Sequence, residues 1–506
     1  MTGALISPGA AIALSIALPF AGMIAIWLLD RAPNLREAAT LATGGVLIAL
    51  ALIVFFAVGE GARPGYILFT VVGGLPIAFQ AEPLGAMFAV LASVLWTVNS
   101  LYSIGYMRGH HEKHQTRFYM CFAVAIASAM GVAYAANLFT LFIFYEMLTL
   151  STYPLVTHKG DDAARHGGRV YLGVLMGTSI GLLLPAIVWV YSIAGTTDFT
   201  PGGILAAPLA EAGALPMILM GLFAFGAAKA ALMPVHPWLP NAMVAPTPVS
   251  AFLHAVAVVK AGVFAVLKIA VYIFGVDFLG ETGAATPYMW IAAASILLAS
   301  AIAMRKDNLK ARLAYSTVSQ LSYVTLGAML ATSMGVMGGA MQIAAHAAGK
   351  MTLFMCAGAI YVAAHKTLVS ELRGLGRTMP ITFIAFFIGA MSIVGLPPMG
   401  GSWPKFLLMV GAADAGQLAI IGVLIVSSLL NVVYLLSIPV QAFYLEPAAD
   451  GARPQGSGAK AIDWRNMREA PLWCVAPPVI TAIIALMLFI FADPLYAYLA
   501  PIAEAR

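Results

Sequence analysis

Charge is scarce in this sequence. Only 9% of its 506 residues are Asp, Glu, Lys or Arg, whereas a soluble domain carries about 25%. With 61% apolar residues, the chain has too little polar surface for a water-soluble fold, so the bilayer must be its solvent. Its long apolar runs predict an all-α membrane protein, in which each helix satisfies its own backbone hydrogen bonds.

Sequence patterns of redox, nucleotide or zinc chemistry are also missing. The three cysteines, Cys121, Cys356 and Cys474, lie far apart and form no CxxC pair, which argues against an iron–sulfur or zinc site built by this chain alone. Neither a dinucleotide-binding GxGxxG in a strand–helix context nor a phosphate-binding GxxxxGK[ST] occurs, which argues against NAD, flavin or ATP chemistry. We therefore expect no metal and no cofactor in this chain.

Apolar segments of roughly 20 residues, the length that a helix needs to cross the hydrocarbon core, occur fourteen times. The first apolar run begins at Leu5 without a preceding basic region, so it is predicted to be a retained span. The predicted limits are 5–29, 39–59, 83–107, 117–134, 136–157, 169–194, 213–233, 247–275, 287–304, 313–331, 334–364, 380–411, 417–445 and 472–498.

The basic residues outside these segments fall almost entirely in the odd-numbered loops. Arg63 is the only one in an even loop, and Arg506 lies in the C-terminal tail. By the positive-inside rule the odd loops are cytoplasmic and both termini lie outside. We therefore expect a multi-pass protein of the bacterial inner membrane. Its net charge of +5 reflects this topology and does not predict nucleic-acid binding.

Prolines predict two broken helices. Pro234 and Pro237 follow the seventh segment, and Pro397, Pro398 and Pro404 interrupt the twelfth. Such breaks are tolerated where the freed backbone faces protein or a water-filled cavity. The chain then divides into helices 1–3 (residues 1–112), a first five-helix repeat (113–275), a second, inverted repeat (276–445), and a cytoplasmic linker with the last helix (446–506).

Several ionisable residues lie deep within the apolar segments. A charge at the bilayer centre costs at least ~3 kcal/mol, so these side chains must face one another, water or backbone carbonyls. One carboxylate cannot neutralise five ammonium groups, and lysine, unlike arginine, can give up its proton. Histidine can relay protons near neutral pH. A static ion pair or a snorkelling stem is the alternative, and it is favoured for Lys268. The candidate proton-transfer residues are Glu146, Lys229, His254, Lys260, His346, Lys350 and Lys405.

Four stretches of the sequence form a recognisable set of motifs. They are KAALMPVHPWLPNAMVAPTPVSAFLH (229–254), LAYSTVSQ (313–320), HAAGK (346–350), and GLPP (395–398) with Lys405. Through these motifs the sequence resembles the antiporter-like subunits of respiratory complex I and of Mrp sodium/proton antiporters. The resemblance covers about residues 80–445. Asn241 departs from the pattern, because many relatives carry aspartate there.

The resemblance implies fourteen helices, two inverted five-helix repeats and broken helices 7 and 12. It also implies that Glu146 and Lys229 form a pair, that Lys260 is the central lysine with His254 beside it, and that Lys405 is the terminal lysine. His346 and Lys350 match the bridging pair. Two features of the chain, its length and the presence of Lys260 together with His254, are most similar to those of Mrp D-type subunits.

Three functions remain open from the sequence. The first is a proton-translocating subunit of a multisubunit Na⁺/K⁺:proton antiporter. The second is a pumping subunit of a complex I-like NADH:quinone oxidoreductase or a membrane-bound hydrogenase, with the redox centres in other chains. The third is a non-conducting scaffold. The first two predict other membrane subunits as partners, and the sequence does not identify the coupling ion.

Overall fold

Helices account for almost all of the fold. The computed structural model describes residues 6–71, 75–446 and 467–504, so most of the predicted linker after residue 446 lies outside the described residues. The helices are α1 Pro8–Leu28, α2 Pro33–Gly59, α3 Pro83–Gly109, α4 Gln115–Tyr134, α5 Leu138–Val156, α6 Asp162–Thr178, α7 Leu184–Ala194, α8 Leu215–Gly226, α9 Trp238–Asn241, α10 Thr247–Ala255, α11 Val258–Ile269, α12 Val276–Thr282, α13 Thr286–Arg305, α14 Leu309–Met329, α15 Ser333–Ala364, α16 Pro380–Val394, α17 Ser402–Asp414, α18 Leu418–Asn431, α19 Ser437–Tyr444, α20 Leu472–Ile490 and α21 Ala492–Glu504.

Each of the fourteen predicted segments contains helix, which confirms the all-α membrane fold. Within the described residues, eleven helices are long and apolar enough to cross a membrane, with α6–α7, α10–α11 and α18–α19 each counted as one. Segments 213–233 and 380–411 fall short because they are broken into shorter helices. The α14 helix is long enough, but Ser, Thr and Gln side chains lower its hydropathy.

Both predicted breaks are present. The α8 helix ends at Gly226, and a 3₁₀ turn, Ala228–Ala230, carries the chain into the proline-rich stretch before α9. In the second half, α16 is followed by Gly395, whose φ of +86° favours glycine, and α17 begins seven residues later at Ser402. A Cβ at Gly395 would also lie 2.7 Å from Cδ of Lys405, so the break and the terminal lysine are packed together.

A third break was not predicted. The segment 247–275 reads as one helix in the sequence, yet α10 ends at Ala255 and α11 begins at Val258. The amide of Ala257 reaches back to the carbonyl of Phe252, five residues earlier, at 3.1 Å. Neither proline nor glycine stands at this point, so local sequence gives no signal. The break separates His254 from Lys260, whose relative positions therefore do not follow one helical repeat.

The loop after α2 contains a small β-hairpin, which the all-α prediction did not include. Strands β1 (Gly65–Thr70) and β2 (Pro76–Gln80) pair antiparallel, with Gly65 opposite Gln80. An isolated bridge from Phe79 to Ala135 ties the hairpin to the connection between α4 and α5. The hairpin thereby fixes the entry into α3, where Glu82 is the N-cap.

Burial identifies the centre of the bundle. The most apolar stretch of the α10–α11 region is wholly buried, whereas the corresponding stretches of α1 and α2 are 39% buried. The α15 helix packs against α14, α16, α17 and α20 and is 78% buried over its apolar stretch. The predicted lysines and histidines therefore lie on the innermost helices or at the two breaks beside them.

Gly262 lets the Lys229 turn approach α11. A Cβ at this position would lie 2.1 Å from the amide nitrogen of Ala230 and 2.2 Å from the carbonyl carbon of Lys229. Because both are backbone atoms of a packed turn, Gly262→Ala should destabilise the protein by about 1–3 kcal/mol and lower its thermal unfolding midpoint in detergent. The matched control is Gly173→Ala in α6, where a Cβ meets nothing within 4 Å. Equal midpoints for the two variants would contradict this close approach.

Candidate proton-transfer site

The Lys229 side chain is held by the backbone and the aromatic ring of Tyr145. Its Nζ donates to the carbonyl oxygen of Tyr145 at 2.8 Å and lies 3.2 Å from the ring centroid. The backbone amide of Lys229 donates to the Tyr145 hydroxyl at 3.2 Å. Trp238 Nε1 donates to the carbonyl of Ala228 at 2.9 Å and secures the turn from the far side of the break.

Glu146 lies next in sequence to that carbonyl but does not bond Lys229 directly. Both carboxylate oxygens of Glu146 are inaccessible and have no hydrogen-bond partner among the described residues. Glu146 and Lys229, the pair that the sequence predicts, are therefore separated in this structure and interact through space. A carboxylate without donors can move towards Lys229 at little cost in broken hydrogen bonds.

At the centre, Lys260 and His346 join the two halves. Lys260 on α11 contacts Nδ1 of His346 on α15 through its Nζ, and both residues are buried. The other ring nitrogen of His346, Nε2, has no partner among the described residues. A histidine with one nitrogen on an ammonium and the other unengaged can accept a proton on one side and release it on the other.

His254 is buried at the end of α10, just before the third break. Its ring lies 4.8 Å from that of Phe354, and neither ring nitrogen has a hydrogen-bond partner among the described residues. An unpaired imidazole is costly inside a membrane protein, so this position is poorly explained by packing alone.

Helices α14 and α15 face each other through a ladder of polar side chains. Gln342, His346 and Lys350 are four residues apart on α15, so they share one face. Lys350 Nζ donates to Ser316 Oγ at 2.6 Å and to the carbonyl of Leu313 at 3.3 Å. One level further along, Gln342 donates to Gln320 at 2.9 Å.

The two glutamines and Ser316 were not among the predicted site residues, although Gln320 ends one of the recognised motifs. Their signal in the sequence is a four-residue spacing, with Ser316 and Gln320 on α14 and Gln342 and His346 on α15. These side chains are neutral, whereas the sequence prediction rests on ionisable groups.

Lys405 occupies the second break. Its Nζ donates to the carbonyl of Val394, the last residue of α16, at 2.7 Å and to Ser428 Oγ at 3.2 Å. The ring of Tyr323 on α14 lies 4.9 Å away. Because Tyr323 follows Gln320 by three residues, it continues the polar face of α14 towards Lys405.

Lys268 has a carboxylate partner that the sequence analysis missed. Glu82 was placed in a loop, yet it is 7% exposed and lies 3.5 Å from the Lys268 Nζ through Oε1. The count of one carboxylate for five buried lysines is therefore wrong, because Glu82 reaches into the bundle from the start of α3. Among the described residues, none of the other four lysines forms an ion pair.

Two histidines lie at the rim formed by the basic loops. Burial is the main cause that lowers the pKa of both His110 and His158. For His158, where Arg117 adds to the effect, the pKa falls to about 4. A histidine with this pKa is uncharged near neutral pH.

Two family models match this chain. The family described as NADH:quinone oxidoreductase/Mrp antiporter, transmembrane, matches residues 135–431. The family described as NADH-ubiquinone oxidoreductase (complex I), chain 5 N-terminus, matches residues 69–119. The candidate proton-transfer residues, from Glu146 to Lys405, all lie within the first match.

Individual relatives come from more than one kind of complex. The NADH-quinone oxidoreductase subunit N of Desulforudis audaxviator is 30% identical over 90% of this chain and 89% of its own. The D-type subunit of a Na⁺/H⁺ antiporter from Alkalihalophilus pseudofirmus is 25% identical over 85% of this chain and 83% of its own. The chain spans about half the length of several subunit 5 relatives that it also matches.

Solved structures support the fold. The Mrp complex of a Dietzia species contains a chain that superposes with a TM-score of 0.84 at 23% identity, covering 98% of this chain and 97% of that one. A chain of an archaeal membrane-bound sulfane sulfur reductase superposes with a TM-score of 0.81, also at 23% identity, covering 97% of each chain.

The glutamine pair provides a test of the ladder. Gln342→Leu leaves the buried Gln320 amide without its partner and should cost about 1–3 kcal/mol of stability. The double variant Gln320→Leu/Gln342→Leu removes both amides, so its thermal stability should recover. Its proton flux in vesicles should remain below the wild-type rate, as in the single variant. If flux recovers together with stability, the glutamines contribute packing only.

Proposed function

We propose, from the premise that this chain belongs to the NADH:quinone oxidoreductase/Mrp antiporter transmembrane family, that it conducts protons across the membrane as one subunit of a multisubunit Na⁺/K⁺:proton antiporter. The observation that carries the proposal is the row of buried lysines on neutral partners. Lys229 and Lys405 donate to backbone carbonyls, Lys350 to a serine, and Lys260 contacts a histidine.

Neutral partners matter because they do not hold the charge on lysine. A direct carboxylate partner strongly favours the ammonium form of lysine. A carbonyl or hydroxyl also accepts a hydrogen bond from the ammonium group, but it carries no negative charge that would hold the proton there. Each lysine can then lose its proton to the next group in line. Static ion pairing, the main alternative, requires contacts with acids that these four lysines lack within the described residues.

The proposed route runs through both halves. A proton reaches Lys229 from the side of the basic loops, and the approach or withdrawal of Glu146 decides whether Lys229 keeps it. From there it passes through His254 and Lys260 to the His346–Lys350 pair. The final steps run from the His346 end of that pair along the glutamine pair to Lys405 and the opposite side of the membrane. Neighbouring ammonium groups repel one another, so these sites titrate as a coupled set.

A pumping subunit of a redox complex is the second candidate. It is favoured by the greater identity to the quinone oxidoreductase relative than to the antiporter relative, 30% against 25%. The proton route would be the same, and the driving reaction would occur in other chains. A Na⁺ or K⁺ gradient imposed on vesicles containing the complex, without any electron donor, should drive proton movement in an antiporter. A redox pump should respond only to its reductant and oxidant.

Lys229 and Glu146 give the sharpest test of conduction. Lys229→Met and Glu146→Gln should each lower proton flux at least about tenfold in vesicles, because one removes the proton carrier and the other the charge that controls it. The controls are Lys113→Met and Glu60→Gln, whose side chains are exposed. A scaffold role requires wild-type flux in both site variants, with the complex fully assembled, and that result would reject the proposal.

A further inference from the structure

Three lysines of the basic loops surround a cavity that the proton route above does not use. Lys159 follows α5, Lys310 is the second residue of α14, and Lys366 follows α15. The cavity has a volume of about 220 Å³ and lies where α10 and α14 begin and α15 ends. We infer that it binds a phosphate group, either as a free anion or in the headgroup of an anionic phospholipid. The site is separate from the proton route, so the inference does not rest on the proposed function.

Lys310 carries a positive charge that the protein leaves without a counter-charge. Its Nζ donates to the carbonyl oxygen of Ala245, just before α10, at 2.6 Å, and among the described residues it forms no ion pair. Burial, with Lys159 adding to the effect, lowers the pKa of Lys310 to about 7. A bound anion would oppose both effects, because a nearby negative charge favours the ammonium form.

The acids near these lysines in the sequence are engaged elsewhere. Asp307 accepts hydrogen bonds from the amide and the hydroxyl of Ser370, at 3.0 and 2.7 Å, and Asp161 caps α6. Glu371 lies 3.6 Å from the Nζ of Lys366 and partly neutralises it. Among the described residues that line the cavity, none is acidic. The other two lysines therefore supply most of the positive charge.

Two helices add to this positive potential. Thr247 is the first residue of α10 and Leu309 the first of α14, and both line the cavity. The N-terminus of a helix is the positive end of its dipole, and helix N-termini commonly bind phosphate. Here two such ends meet at one cavity together with the lysine ammonium groups.

Buried hydroxyl groups supply further hydrogen-bond donors. The side chains of Tyr106 and Thr247 are buried, and their oxygens are 3.5 Å apart, which is long for a hydrogen bond between hydroxyls. Each hydroxyl can therefore donate to another acceptor. A phosphate group offers several acceptor oxygens and forms strong, charge-assisted bonds with ammonium groups. The cavity has the volume of about seven water molecules in the liquid, which is enough for a phosphate group.

Inorganic phosphate tests the site directly. In the detergent-solubilised complex, with sodium chloride keeping the ionic strength constant, phosphate should raise the thermal unfolding midpoint by at least about 2 °C, because it binds the folded protein. Lys159→Gln and Lys310→Gln should each weaken the apparent affinity for phosphate at least about fivefold by removing a charge-assisted bond. The matched control is Lys113→Gln, an exposed lysine of the basic loops that does not line the cavity, and it should keep the wild-type affinity.

Reconstitution distinguishes the two sources of phosphate. In phosphate-free nanodiscs, a lipid headgroup predicts a higher unfolding midpoint in phosphatidylglycerol than in phosphatidylcholine for the wild type, and a smaller difference for Lys159→Gln. A response to inorganic phosphate without this lipid dependence assigns a free anion. Stabilisation by neither source, or stabilisation that is unchanged in Lys159→Gln, would overturn the inference. Lys159 is exposed, so this variant decides the question even where Lys310→Gln fails to assemble.

Discussion

The cost of holding an ammonium group inside a membrane protein governs this structure. Each isolated charge at the bilayer centre costs at least ~3 kcal/mol, and most of these lysines reduce that cost with main-chain carbonyls. Lys229, Lys268, Lys350 and Lys405 all donate to a backbone oxygen. Lys260, at the junction of the halves, contacts His346 instead.

The break between α16 and α17 meets this constraint for Lys405. A regular helix uses its carbonyls internally, so few remain for a lysine, whereas the last residues of a helix leave theirs unpaired. Val394 ends α16 and offers its oxygen to Lys405, and Ala135 lies between α4 and α5 and offers its oxygen to Lys268. Polar α14, with its serines and glutamine, serves the same need without a break.

The sequence predicted the features that carry their own local signal. Prolines marked the breaks in segments 7 and 12, and lysines stood out against apolar sequence. The break at Val256–Ala257 has no such signal, since neither proline nor glycine stands there; around it α10 packs against α15, and α11 packs against α14 and α15. Glu82 looked like a loop residue, since only the hairpin and the cap of α3 bring it to Lys268. The Gln320–Gln342 contact likewise depends on which faces of two helices meet.

The contrast between the two kinds of lysine sites has a functional consequence. Lys268 sits on a carboxylate fixed by three other donors, so its charge is stabilised whenever it holds a proton. Lys229 is near a carboxylate that has no donor among the described residues, so its stabilisation depends on where Glu146 lies. A movable carboxylate can set the protonation of its neighbour, whereas a fixed one keeps its neighbour charged. Along the proposed route, control of protonation therefore belongs to the Glu146 end, and the coupled lysines between Lys229 and Lys405 transmit the change by mutual repulsion.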